Sequence, residues 1–112
     1  METKPLLSVV GVECAPEAEE KFNKWYTETH VPMILKSKWC DGATRYKRVP
    51  ITKEEAPTYL AIYEFKNRQA FEAHSSSPEL AAAIEEMKET WPDKGFELKW
   101  RGIYEPLKTW RK

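Results

Sequence analysis

The chain has 112 residues, with Lys+Arg 18 against Asp+Glu 18 and a formal net charge of zero. That length suits one domain, 1–112, around one core, and 41% hydrophobic with 32% charged residues is too apolar for a disordered chain. Balanced charge argues against nucleic acid as the main partner; the longest uncharged apolar run, Pro5 to Val12, is far too short for a membrane span, and no export signal opens the chain, so a cytoplasmic protein without membrane contact is expected.

Leu6 to Glu13 (LLSVVGVE) is short and β-rich and reads as a strand. Pro16 opens a helical segment, and Glu17, Glu19 and Glu20 complement the positive end of its dipole. Phe22, Tyr26, Thr29 and Met33 then fall at i, i+4, i+7 and i+11, one face of a helix, with Trp25 beside them. Pro32 lies inside that pattern, which predicts a kink or break close to His30. Asp41-Gly42 is turn chemistry, Ala43 to Val49 a second strand, and Pro50 to Pro57 a charged loop. Thr58 to Phe65 (TYLAIYEF) is the plainest strand of the chain. Asn67 can cap a short helical turn carrying Ala70 and Phe71; Ser77-Pro78-Glu79 starts a longer helix bearing Leu80, Ile84, Met87 and Trp91, which Pro92 and Gly95 end. Phe96 to Tyr104 reads as a strictly alternating strand, with Phe96, Leu98, Trp100 and Tyr104 on one side and Glu97, Lys99 and Arg101 on the other.

The order β-α-β-β-α-β predicts an α+β, ferredoxin-like fold: a four-stranded antiparallel sheet with its helices on one face. In that topology the first two strands are parallel and not neighbours. Cys14 and Cys40 then lie at opposite ends of a strand roughly 20 Å long, so both are expected as free thiols. Both faces of the first and third strands are apolar, and two helices cover only one. The economical solution is a homodimer that packs sheet against sheet; the alternative is a large aromatic core within one chain.

Several motifs carry a resemblance. Phe22-Asn23-Lys24-Trp25-Tyr26 followed by Thr29-His30-Val31-Pro32 resembles the F-x-x-W-Y-x-x-x-H-x-P signature of EthD-like proteins, members of the dimeric α+β barrel superfamily. Gly42 to Tyr46 looks like their G-x-x-R-Y motif and Tyr59 to Glu64 like their third strand, while Phe71 to His74 with Ser77-Pro78 is similar to a stretch of antibiotic-biosynthesis monooxygenases. The chain departs from the family pattern at Cys40-Asp41-Gly42, where Pro-Gly is common. The resemblance implies the dimeric barrel and a ligand cleft near this helix and the concave sheet face.

His30 is the candidate acid/base, because histidine alone exchanges protons near neutrality without perturbation. Tyr26 stands four residues before it on the wheel and is its candidate partner. A histidine capping its kinked helix is the structural alternative. Trp25, Tyr46, Tyr63, Trp100 and Tyr104 are candidates for an aromatic wall, suited to a flat phenol, quinone or polyketide-like ligand; Trp25 and Trp39 are also candidates for the dimer contact. Arg45 heads a basic stretch with Lys47, Arg48, Lys36, Lys38 and Lys53, read as a charge-guarded edge or a gate for an anionic ligand. His74 fits a helix C-terminus as a cation. No metal-ligand spacing, dinucleotide, P-loop or hydrolase motif is present, so no metal or cofactor is expected. Two functions remain open: a cofactor-independent enzyme (lyase, isomerase, cyclase or monooxygenase), or a non-catalytic binder or accessory of a degradative oxidase.

Overall fold

The structure, a computed structural model, describes residues 5–51, 55–93 and 95–112; residues 52–54 of the expected 50–57 loop, Lys53 included, lie outside the described residues. Four strands, β1 (Leu6–Cys14), β2 (Gly42–Lys47), β3 (Tyr59–Phe65) and β4 (Phe96–Tyr104), form one sheet in the order β2-β3-β1-β4, each neighbouring pair antiparallel. Between β1 and β2 the chain passes through a 3-10 turn (Pro16–Ala18), α1 (Glu19–Trp25), a π turn (Tyr26–His30) and α2 (Val31–Ile34). Between β3 and β4 it passes through α3 (Arg68–Ser75) and α4 (Pro78–Thr90). This is the ferredoxin-like α+β arrangement, with β3 separating β1 from β2. The side chains of Asn67 and Ser77 cap α3 and α4, accepting from the backbone N–H groups of Ala70 and Leu80. Cys14 and Cys40 are free thiols.

Proline explains the π turn. Pro32 has no N–H to give to the preceding turn, and its ring crowds the carbonyl four residues back. The helix accommodates it by widening one turn, so that the Val31 N–H reaches the Tyr26 carbonyl five residues earlier. The irregularity expected near His30 is therefore a wider turn in a helix that runs on to Ile34.

Strand register divides the sheet into two chemically distinct sides. Val10 opposes Ala61 and Val12 opposes Tyr59, all buried, and these positions mark the side beneath the helices. Leu7, Val9, Leu60 and Ile62 have the other parity and form the uncovered side. β4 does not alternate strictly as its sequence suggests. Its register against β1 shifts between Gly11 and Val12, so that Val12 opposes Leu98 while Gly11 opposes Trp100. The extra residue, Lys99, is a bulge, and it reverses the parity of everything after it. Phe96 and Leu98 consequently share the helix side with Arg101 and Ile103, whereas Trp100 and Tyr104 turn to the uncovered side. Gly11 makes room there: a Cβ at this position would stand 2.9 Å from Trp100 Nε1.

The core is a cluster of rings around Phe22, which is 0% exposed. Phe22 meets Tyr26 and Tyr59 at 5.4 Å between centroids, Phe96 at 5.3 Å, Trp91 at 6.4 Å and Trp25 at 6.5 Å. One side chain thus ties α1 to β3, to β4 and to the segment after α4. Replacing it, Phe22→Ala, is expected to cost about 3–5 kcal/mol in urea unfolding, with loss of the near-ultraviolet circular dichroism that fixed aromatic packing produces.

Candidate functional site

The π turn sets the geometry of the candidate site. His30, at its last position, is 8% exposed. Its imidazole stacks on Trp25 (4.7 Å between centroids, 25° between planes) and meets Tyr26 edge-on at 4.9 Å. Its Nδ1 is buried without a hydrogen-bond partner among the described residues. Trp25 is itself held, donating its Nε1–H to Glu86 Oε1 of α4 at 2.8 Å, and Glu86 also accepts from Thr90 Oγ1. Burial pushes the His30 pKa down to about 4, with the Glu86 carboxylate pulling weakly the other way. At neutral pH His30 is a neutral imidazole, able to accept a proton and not charged to give one.

Tyr26 extends the site toward the sheet. Its hydroxyl lies 3.2 Å from the Tyr63 hydroxyl in a buried pair. Only one of the two protons serves that bond, so the pair keeps a second O–H to offer. Burial raises the pKa of both phenols, and the positive charges of Arg45 and, for Tyr26, Arg101 oppose the rise. The Arg45 guanidinium stands 4.6 Å from the Tyr26 ring centroid and donates to Thr27 Oγ1 at 2.8 Å and Asn23 Oδ1 at 2.9 Å. Arg45 is thereby fixed against the helix, and the adjacent Lys47 pairs with Glu19 at 3.3 Å. Arg45 alone is packed between sheet and helix; Lys47 is 63% exposed and, with Arg48, Lys36 and Lys38, lies in solvent along the outer strand β2 and the turn before it, as a charge-guarded edge expects.

His30, Tyr26, Trp25, Tyr63 and Arg45 therefore come together beneath the helices. Tyr46, Trp100 and Tyr104 do not join them. Tyr46 opposes Leu60, and the β4 bulge turns the other two the same way, so all three lie across the sheet from His30. Trp25 faces inward, fully engaged by His30, Glu86, Trp91 and Phe96, and is no candidate for an outward dimer contact; Trp39 is partly exposed. His74 does lie in the last turn of α3, but it is buried. Burial lowers its pKa, and its Nδ1 sits 2.9 Å from Ser37 Oγ, a structural pairing that holds α3 to the turn after α2. Among the described residues no group of three or more His, Cys, Asp and Glu side chains is placed to hold a metal, and no helix is long and apolar enough to cross a membrane.

Beside this site an apolar cleft of about 860 Å³ opens between the end of α4 and the start of β4, lined by Met87, Trp91, Phe96 and Leu98 with Cys14 at its edge. Gly95 seats the Trp91 indole, since a Cβ there would fall 2.3 Å from Trp91 Cζ3. Trp25 forms the partition between cleft and histidine: it touches Trp91 and Phe96 at 5.7 and 5.6 Å and stacks on His30 with its other contact. Glu86 and Arg101 were not singled out from sequence. Glu86 looks like one of several acids on an exposed helix, and Arg101 changes sides only because of the bulge.

A sequence family matches residues 7–100. The chain belongs to the DUF4286 family, a domain of unknown function. No functionally curated protein matches it in sequence. Among solved structures this DUF4286 chain is similar to HapK from Hahella chejuensis (10% identity, TM-score 0.69, covering 96% of this chain and 97% of that one). It is also similar to an EthD family protein from Bacillus halodurans (14%, TM-score 0.66, 94% and 100%). A third is a protein provisionally assigned as an antibiotic biosynthesis monooxygenase, from Nitrosomonas europaea (14%, TM-score 0.60, 96% and 94%). At these identities the likeness establishes the fold, which DUF4286 shares with EthD-like and antibiotic-biosynthesis-monooxygenase-like proteins.

The buried imidazole makes a testable mark on stability. His30 titrates near 6.5 when unfolded and about 4 when folded, so the unfolded chain takes up the proton first as pH falls. Folding stability is then full above pH 6.5 and declines by about 3 kcal/mol on the way to pH 4 from this residue alone. His30→Phe, which removes an unpartnered buried nitrogen, is expected to be as stable as the parent or up to about 2 kcal/mol more stable at pH 7 and to show a shallower acid-side decline in urea unfolding.

Proposed function

We propose that this protein is a small cofactor-independent enzyme of proton transfer, in which neutral His30 accepts a proton from a flat phenolic or enolisable carbonyl compound. The observation that carries the reading is the unpartnered, neutral imidazole locked between Trp25 and Tyr26 on the π turn. A buried polar atom without a partner costs about 1–3 kcal/mol, and such costs concentrate at sites where a ligand supplies the missing partner. The Tyr26–Tyr63 pair offers the complementary O–H to the oxygen on which negative charge develops. The proton removed from carbon or oxygen resides on His30 and returns to a different atom of the same molecule, which is the balance of an isomerisation, a cyclisation or, with loss of water, a dehydration. Trp25 serves as the wall that orients the imidazole and does not itself contact the ligand. The folds shared with an EthD family protein and a monooxygenase-like protein support a small-molecule role in general terms.

A second reading, a non-catalytic binder of aromatic compounds, is favoured by the depth at which His30 is held. The two separate in deuterium exchange. With 2-tetralone in D2O, followed by NMR, the enzyme reading expects accelerated exchange at the carbon beside the carbonyl. His30→Asn is then expected to lose about 100-fold or more of that acceleration while binding changes little. Exchange no faster than buffer, with binding retained, assigns the protein to the binder class. The rate should hold from neutral pH down to about 5 and fall toward pH 4 as His30 takes up its proton.

Two chains are proposed to meet through the uncovered side of the sheet, where Leu7, Val9, Leu60 and Ile62 lie among Tyr46, Trp100 and Tyr104. So large an apolar surface is rarely left in water. Light scattering at micromolar concentration should give the mass of two 13.1 kDa chains, and Ile62→Asp should return it to one.

A further inference from the structure

The bulge in β4 turns one charged side chain, Arg101, to the helix side of the sheet, which also carries the cleft-wall residue Leu98. Arg45, Ala61, Val10 and Arg101 occupy one row across the helix side of the sheet, Arg45 opposite Ala61, Ala61 opposite Val10 and Val10 opposite Arg101. The two middle side chains are small; the Arg45 guanidinium lies 4.6 Å from the Tyr26 ring, and the charge of Arg101 also acts on the Tyr26 hydroxyl. The arginines are not equivalent. Arg45 is tied to Asn23 and Thr27, whereas Arg101, on the edge strand, is exposed and makes no ion pair among the described residues. Its helix-side neighbours Leu98 and Ile103 are 51% and 42% exposed, so the helices leave this flank of β4 open. Leu98 is at the same time part of the wall of the 860 Å³ cleft.

The donors and acceptors of this region do not balance. Lys88 lines the cleft, Arg101 follows the cleft-wall residue Leu98 on the helix side of β4, and the Tyr26–Tyr63 pair holds an uncommitted O–H. The carboxylates near the cleft are engaged: Glu13 accepts the Thr58 N–H at 3.2 Å, and Glu97 pairs with Lys99 at 3.0 Å. A complementary ligand brings negative charge and acceptors at one end and an apolar ring system at the other. We propose that Arg101 anchors the anionic group of an aromatic carboxylate, or of an equally flat phenolate or enolate, whose rings lie in the cleft against Met87, Trp91 and Leu98. Arg45 supports this from behind as a fixed charge, and the anion comes to rest beside Tyr26. This names the substrate class of the site proposed above and rests on its being a small-molecule site, but it places the binding determinant on β4 and not on the π turn.

The test is calorimetric titration with 2-naphthoate and its neutral isostere 2-naphthamide. The charged probe should bind about tenfold or more tighter, since a charge-assisted hydrogen bond exceeds a neutral one by that order. Arg101→Gln, on an exposed edge strand, should remove that advantage while leaving naphthamide within twofold, and Arg101→Lys should restore part of it. Met87→Ala should weaken both probes together. Equal binding of the two probes, or an advantage that survives Arg101→Gln, overturns the proposal; so does an advantage lost in Lys88→Gln and kept in Arg101→Gln. The reading of His30 fails separately: a His30→Asn protein that exchanges deuterium as fast as the parent overturns the enzyme while leaving the Arg101 anchor standing, and loss of exchange in His30→Asn with no effect of Arg101→Gln on naphthoate does the reverse.

Discussion

The packing of rings around Phe22 is the contact on which the rest of the molecule depends. Without it the helical layer has little to hold it against the sheet, because α1 and its continuation are short and Pro32 interrupts their hydrogen bonding. Isolated helices of such length are marginal in water, so it is burial of Phe22, Trp25 and Tyr26 against Tyr59, Trp91 and Phe96 that keeps the segment helical through the π turn. The candidate site inherits its rigidity from the same rings. Trp25 is at once a core residue and the surface on which His30 lies, and its N–H, given to Glu86, locks that surface to α4. A side chain held by so many contacts fixes the orientation of its neighbour, the condition for a preorganised group.

Two departures from regular geometry, one in a helix and one in a strand, decide which residues meet. The π turn inserts a residue into the helix and rotates His30 against Trp25 and Tyr26. The bulge at Lys99 inserts a residue into β4 and exchanges the sides of Trp100 and Arg101. Each is a single-residue insertion, and each acts on the same volume between helices and sheet. Together they bring the neutral His30 against Tyr26 and turn Arg101 to the helix side of the sheet, the side that holds the Tyr26–Tyr63 hydroxyl pair.

These departures also account for what was legible in the sequence. Strand and helix order, the caps at Asn67 and Ser77 and the irregularity at His30 follow from local chemistry: β-branched runs, N-cap residues and a proline within a helical pattern. The grouping of His30, Tyr26 and Trp25 follows from helical periodicity. Periodicity alone misplaced Trp100, Tyr104 and Arg101, because a bulge is defined by two strands nearly ninety residues apart in sequence and leaves no mark on either one alone. Gly11 is the nearest thing to a signal, a residue without a side chain in an otherwise branched strand. Arg45 reads as part of a basic run, and only the fold divides that run between Asn23, Thr27 and Glu19. Glu86 and Trp25 meet across 61 positions, a pairing that no window of sequence contains.

The bulge has a consequence for how the chain associates. β4 is an outer strand, and its free edge would otherwise be a template on which a strand from another molecule could dock and extend the sheet without end. An inserted residue twists that edge and disturbs the even spacing of its peptide groups, while Glu97, Lys99 and Arg101 surround it with charge. Growth by edge addition, the route to fibrils, is thus discouraged on this flank. What remains is the uncovered apolar side of the sheet, the surface on which the proposed pairing of two chains would close instead of growing.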